Sequence, residues 1–321
     1  MNRRKSYFLA FFTFLGTIAD AQQLPIFTQF TANELLFNPA FAGTKRYLDF
    51  RLTYRDQWSG FPDAPVTEAF SVNYSGFKNT GIAAYGYEDI TGFTKRSDYT
   101  LCYAYRIHFP DISLAVGIAG SMVNYSIDES QITTNQTLDP AIDRNSKPSV
   151  WAPDASAGAY LYNDQWRIGL SVNNLIASTE SFYKKYGFPG DTSSAGALKL
   201  LAHVNGYLSY IYLSANENFI WQNSLLVNYV QGAPVYIAYD LRCYIKNLII
   251  AGFSISLRND VSIEAGVEYH NNLQICYSYD YVVSLLSPAS SNEITLIYTF
   301  DKPGSKDMNN VFKRRKYGYI F

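Results

Sequence analysis

From Tyr99 the chain alternates with a period of two. Tyr99, Leu101, Tyr103, Tyr105 and Ile107 fall on one side, and Thr100, Cys102, Ala104, Arg106 and His108 on the other. This is the pattern of a strand with two unlike faces. After the turn residues Phe109-Pro110-Asp111 the alternation resumes, with Ile112, Leu114, Val116, Ile118 and Met122 opposed to Ser113, Ala115, Gly117, Ala119 and Ser121. Together the two runs predict a long hairpin. Strands of this length, apolar and aromatic on one face and small or polar on the other, suit a tilted crossing of a bilayer core.

The same alternation recurs along the chain and predicts about fourteen strands. They are Tyr47–Arg55, Val66–Tyr74, Thr80–Tyr87, Tyr99–His108, Ile112–Tyr125, Asp154–Tyr162, Gln165–Val172, Leu198–Tyr210, Phe219–Tyr229, Val235–Ile245, Leu248–Leu257, Val261–Tyr269, Leu273–Val283 and Ile294–Phe300. Tight turns such as 163–164, 246–247 and 271–272 follow the even-numbered strands. The long links, notably 126–153 and 173–197, follow the odd-numbered ones. Short turns at one rim and long loops at the other are the rule of bacterial barrels, and an even strand count puts both termini in the periplasm. The expected fold is an all-β transmembrane outer-membrane barrel.

Outside the barrel run the chain reads differently. Asn2-Arg3-Arg4-Lys5, an apolar stretch from Tyr7 to Leu15, and Ala19-Asp20-Ala21 predict a signal peptide over residues 1–21, cleaved after Ala21. Residues 22–46 hold aromatic and turn residues without a long alternation, among them Ile26, Phe27, Phe30, Leu36 and Phe37. Such a segment needs a surface, either the barrel lumen or its periplasmic rim. The barrel occupies 47–300. A basic, aromatic tail, 301–321, ends in Lys313-Arg314-Arg315-Lys316-Tyr317-Gly318-Tyr319-Ile320-Phe321.

Composition agrees with a membrane wall. The 321 residues include 28 Tyr and 21 Phe but only 17% charged residues, a bias that aromatic girdles explain. A net charge of −1 gives no basic footprint for nucleic acid. Cys102, Cys243 and Cys276 lie in separate strands and read as small packing residues.

No motif points to catalysis or a cofactor. His108, His203 and His270 lack metal-ligand spacing, and Asp139, Asp143 and Asp154 lack the tight alternate spacing of a calcium loop. What remains is charge on the inward face. Arg51, Arg55, Arg106, Asp240, Arg242, Glu264 and Glu268 share strands with lipid-facing apolar runs, so they line the lumen or pair across it. Glu68 breaks the pattern by sharing a face with Phe70, Val72 and Tyr74, which places it near a rim. Trp58 and Phe61, between Asp56 and Pro65, are read as an external loop able to meet a partner. Tyr317, Tyr319 and Phe321 are read as a possible docking peptide.

The blocks Asn38-Pro39-Ala40-Phe41-Ala42-Gly43, Tyr54-Arg55-Asp56-Gln57-Trp58-Ser59-Gly60-Phe61 and Ala64-Pro65-Val66-Thr67 resemble the PorP/SprF family of type IX secretion system outer-membrane proteins. The likeness continues through Tyr103-Ala104-Tyr105-Arg106-Ile107, Ile168-Gly169-Leu170-Ser171-Val172, Leu226-Val227-Asn228-Tyr229 and Tyr277-Ser278-Tyr279-Asp280. Asn292 stands where family members often have His before Glu-Ile. The resemblance implies a barrel without enzyme activity that helps export or surface-attach a particular large cargo, such as an adhesin, alongside other components of the apparatus. A competing expectation from the barrel itself is an outer-membrane uptake channel for a small solute. If residues 22–46 fill the lumen, diffusion is blocked.

Overall fold

Alternation produces a sheet here because each face of every strand meets a different environment. A computed structural model describes residues 24–44, 48–75, 77–132, 147–177, 179–181, 197–215, 218–246, 248–257, 260–270, 272–282 and 290–300. Fourteen antiparallel strands close into a barrel. They are β1 (Leu48–Ser59), β2 (Val66–Tyr74), β3 (Thr80–Thr91), β4 (Thr94–His108), β5 (Ser113–Ile127), β6 (Ser149–Tyr162), β7 (Trp166–Asn173), β10 (His203–Leu213), β11 (Phe219–Val230), β12 (Tyr236–Ile245), β13 (Ile249–Ser256), β14 (Asp260–Tyr269), β15 (Leu273–Val282) and β16 (Ser290–Phe300). Two short strands, β8 (Thr179–Ser181) and β9 (Ala197–Lys199), pair outside the barrel in the link between β7 and β10. Each barrel strand pairs with its neighbour in sequence, and β1 closes on β16 with Leu48 opposite Phe300.

The outward face is apolar and open. Leu52, Leu101 and Ile263 are 58, 72 and 66% exposed, and similar residues continue around the wall. A water-soluble protein does not display so continuous an apolar ring, whereas a lipid-embedded wall requires one. No helix among the described residues is long and apolar enough to cross a membrane. The inward face is buried and mostly small or polar, as in Asp49, Arg51, Thr53 and Arg55 of β1.

Several strands are longer than the apolar alternation predicts. β1 continues to Ser59, β3 and β4 run on to Thr91 and Thr94, β6 begins at Ser149 and β16 at Ser290. The pairing there extends beyond the stretch whose outward face must be apolar, so the hydrophobic pattern fades before the hydrogen bonding does. One run is corrected the other way. Residues 198 and 199 belong to β9, paired with residues 179 and 180, and the barrel strand starts at His203.

Candidate functional site

The lumen is filled by residues 24–44. This segment has no ladder of its own: it makes two single 3-10 turns, Glu34–Leu36 and Pro39–Phe41. Pro39 at the start of the second turn has no N–H to satisfy. Asn38 caps that turn, its side-chain oxygen accepting from Ala40 N at 2.9 Å. Its Nδ2 donates to the carbonyl of Ala159 at 3.1 Å and ties the turn to the wall. Gln29, Glu34, Asn38, Ala40, Phe41 and Ala42 are all essentially inaccessible. The Phe41 ring packs 4.1 Å from that of Tyr160 and 5.6 Å from that of Tyr207.

Residues 38–43 press backbone against backbone. A Cβ at Gly117 would collide with the main chain of Ala40, one at Gly81 with Ala42 and Gly43, and one at Gly158 with the Asn38 side chain. The three glycines occupy inward positions on β5, β3 and β6, so glycine is there because the plug approaches too closely for any side chain. Gly43 itself has φ +73°, a left-handed conformation that favours glycine. It is held at the rim by Asn73, whose Oδ1 accepts from Gly43 N at 2.6 Å and whose Nδ2 donates to Phe41 O at 3.2 Å.

The other end of the plug is held by charge. Arg55 bridges Asp280 at 2.9 Å and Glu293 at 2.8 Å. Into these carboxylates the plug donates three times: Thr28 N to Glu293 Oε2 at 2.8 Å, Gln29 N to Glu293 Oε1 at 3.0 Å, and the Thr28 hydroxyl to Asp280 Oδ2 at 2.6 Å. Gln29 Nε2 adds a bond to Ser278 Oγ at 3.3 Å. Arg51, paired with Asp49 at 2.7 Å, donates to the carbonyl of Ala32. Between the two ends, Glu34 accepts from the Tyr207 hydroxyl at 3.1 Å, while Ser171 and Asn205 donate to Phe37 O and Asn173 to Leu36 O. Buried charges persist only when paired and hydrogen-bonded in this way.

The seven lumen charges singled out from sequence therefore fall into distinct places. Arg51, Arg55 and Arg106 grip the plug, Arg106 by donating to the carbonyl of Gly43 while it also ties itself to the wall through the carbonyls of Phe77 and Thr80 at 2.9 and 2.8 Å. Asp240, Arg242 and Glu264 form a separate group on β12 and β14, with Arg242 Nε 2.7 Å from Glu264 and 3.5 Å from Asp240. Glu268 accepts from Gln274 Nε2 at 3.2 Å.

Trp58 does not lie on a loop, as its sequence neighbours suggest. It lies in β1, one residue before its end, at an irregularity in the β1–β16 register, with φ +56°, and its N–H donates to Ser291 Oγ at 3.1 Å. Phe61 lies in the turn beyond and is 46% exposed. That turn leans on the tip of the β3–β4 hairpin through Gly92 N to Asp63 O at 3.0 Å. Tyr317, Tyr319 and Phe321 lie outside the described residues, as do residues 1–21, Asp139 and Asp143.

Sequence reasoning missed Asp280 and Glu293, the two acceptors that hold the plug. Both sit in inward slots of the alternation, Asp280 between Tyr279 and Tyr281 and Glu293 immediately before Ile294, so extending the period was enough to find them. Among the described residues no group of three or more His, Cys, Asp or Glu is arranged to hold a metal ion.

A closed antiparallel barrel with an apolar outer belt and a lumen occupied by its own N-terminal segment is a plugged outer-membrane barrel. The chain belongs to the type IX secretion system membrane protein PorP/SprF family, whose model matches residues 19–299. No curated protein matches it by sequence. Among solved structures, the Acinetobacter baumannii outer membrane protein Omp33 is similar with 8% identity and a TM-score of 0.46, covering 80% of this chain and 100% of that one. The monoaromatic hydrocarbon channel CymD is similar with 10% identity and a TM-score of 0.49, covering 84% and 93%. The Pseudomonas putida toluene transporter TodX is similar with 9% identity and a TM-score of 0.45, covering 85% and 95%. Likenesses this distant carry no argument about function.

Proposed function

We propose that this barrel is an accessory component of type IX secretion that supports export or surface attachment of a specific large cargo, and that it acts by binding. Family membership supplies the system. The observation that favours binding over solute passage is the plug, gripped at Thr28–Gln29 by a buried ion-pair network and at Ala40–Gly43 by glycine-lined contacts. A segment held at both ends leaves the lumen a filled core, so the working surfaces are the two rims and the outer wall. The short-turn rim, where Leu48 and Phe300 meet, faces the periplasm in this reading. The long-loop rim, with Phe61 exposed, then faces outward.

The reading is tested by comparing the surface and medium proteomes of a strain lacking the gene with those of its parent. Loss of one or a few large exported proteins, with the rest unchanged, is the expected result and identifies the cargo. An unchanged exported set with slower uptake of a solute overturns it.

A further inference from the structure

The turns at the long-loop rim are stitched into one surface. Gln57 N donates to Pro65 O at 2.9 Å and Phe61 N to Trp58 O at 3.1 Å, which closes the β1–β2 turn on itself. Gly92 N donates to Asp63 O at 3.0 Å and joins that turn to the tip of the β3–β4 hairpin. Asp128 N donates to Phe93 O at 2.8 Å, and Ile127 N to Pro148 O at 3.0 Å, so the tip is also tied to the chain leaving β5 and entering β6. A surface fixed in this way gives up little conformational freedom when a partner binds.

It carries apolar side chains that the lipid belt does not account for. Up the outer face of the β3–β4 hairpin the pairs run Ile82–Tyr103, Ala84–Leu101, Gly86–Tyr99, Glu88–Ser97 and Ile90–Lys95. The apolar belt therefore ends at Glu88–Ser97. On β1 and β2 the pairs Phe50–Val72 and Leu52–Phe70 give way to Tyr54–Glu68 and Asp56–Val66. Beyond these polar steps Ile90, Phe93 and Phe61 are exposed again. Aromatic groups at the centre and charge around them is the composition of a protein-binding patch.

The charge is one-sided. Glu68 and Glu88 stand directly opposite each other on β2 and β3, an unfavourable placement for like charges. Lys95 Nζ, 2.6 Å from Glu88 Oε1, answers only one of them. With Asp56 and the exposed Asp63, the patch holds four carboxylates against one ammonium. A cation brought from outside relieves the Glu68–Glu88 contact, whereas a lipid phosphate is repelled by it.

We propose that Phe61, Ile90 and Phe93, rimmed by Asp63, Glu68 and Glu88, are the docking surface for the exported cargo, and that the cargo meets it with a lysine- or arginine-bearing protein surface whose apolar centre covers the two rings. The inference rests on the secretion reading above and adds to it the place and the chemistry of the contact.

The test places a photo-crosslinking phenylalanine analogue in the full chain, in cells, at position 93 and in a second strain at position 61. The probe is the protein whose export the deletion strain loses. Adducts containing that protein are expected from both positions, and none when the analogue replaces Leu170 on the lipid-facing wall. Glu68→Lys turns the like-charge pair into an opposite-charge one, so the barrel should keep its heat-modifiable migration while the adduct yield falls at least about tenfold. Asp111→Lys, the same change of charge at the opposite rim, should leave the yield unaltered. An undiminished yield in Glu68→Lys, or no cargo adduct from either position in cells that still export the cargo, overturns the docking surface and leaves the secretion reading standing. An exported set that the deletion does not change overturns that reading and the inference with it.

Discussion

The two ends of the plug are held by different balances of charge and close packing. At Thr28–Gln29 the wall of β1, β15 and β16 offers charge and direction: an arginine, two carboxylates and hydrogen bonds of 2.6–3.0 Å. At Ala40–Gly43 the wall of β3, β4 and β5 offers chiefly space, at Gly81 and Gly117 with the fully buried Ala104 and Ala115 beside them, and Asn73 and Arg106 add hydrogen bonds to Phe41 and Gly43. Charge-assisted bonds fix a position but lose their worth if one partner goes. Close packing of backbones is non-directional and fails when volume is added. A lumen plug held by both cannot be released by disturbing one kind of interaction alone.

This contrast can be broken from either side. Arg55→Met strands Asp280 and Glu293 together without their cation, and is expected to destabilise the barrel by about 3–5 kcal/mol, read as a fall in the temperature at which the folded, fast-migrating form is lost on unboiled gels. Gly117→Val places side-chain atoms where Ala40 runs and is expected to cost about 1–3 kcal/mol. It leaves the charged anchor intact, so proteolysis should cut near residues 38–43 before it reaches Thr28. The two changes share no partner, and the double variant should be additive within about 0.5 kcal/mol. A large coupling energy would mean the plug moves as one rigid body. Asn38→Ala removes a turn cap and the bond to Ala159 and is expected to cost about 1–2 kcal/mol by the same gel assay.

The smallest effect lies outside the lumen. Lys147 Nζ lies 2.7 Å from Asp128, just beyond β5, and this bond, aided by Ser130 and Gln131, holds the Asp128 carboxyl well below the usual carboxylate range. A depressed folded-state value means the clasp is fully present above the ordinary carboxylate range and is lost as pH falls through the lowered one. An NMR titration of Asp128 should therefore show it still ionised where exposed carboxylates have protonated, and Lys147→Ala should move it up toward their range, with Ser130 and Gln131 keeping part of the depression.

The barrel was legible because each strand separates two solvents, lipid outside and a filled lumen inside, and that separation writes a period of two into the chain. The fourteen strands follow from it. Their outer ends do not, because Lys95, Asp56 and Ser149 lie where the wall no longer needs an apolar outer face while the ladder continues. The plug was legible only as aromatic residues in need of a surface. Gly81, Gly117 and Gly158 look like weak points in strands until the chain that lies on them is known. Arg55 was visible as an inward charge, but its partners come from strands more than two hundred residues away, a pairing set by barrel closure and carried by no local pattern.

The central claim, a lumen permanently filled by residues 24–44, is tested most directly by conductance in planar bilayers. The purified wild-type protein should insert without producing steady ohmic channels, and a variant combining Arg55→Met with Gly117→Val should produce them. A stable open conductance from the wild-type protein would contradict the account.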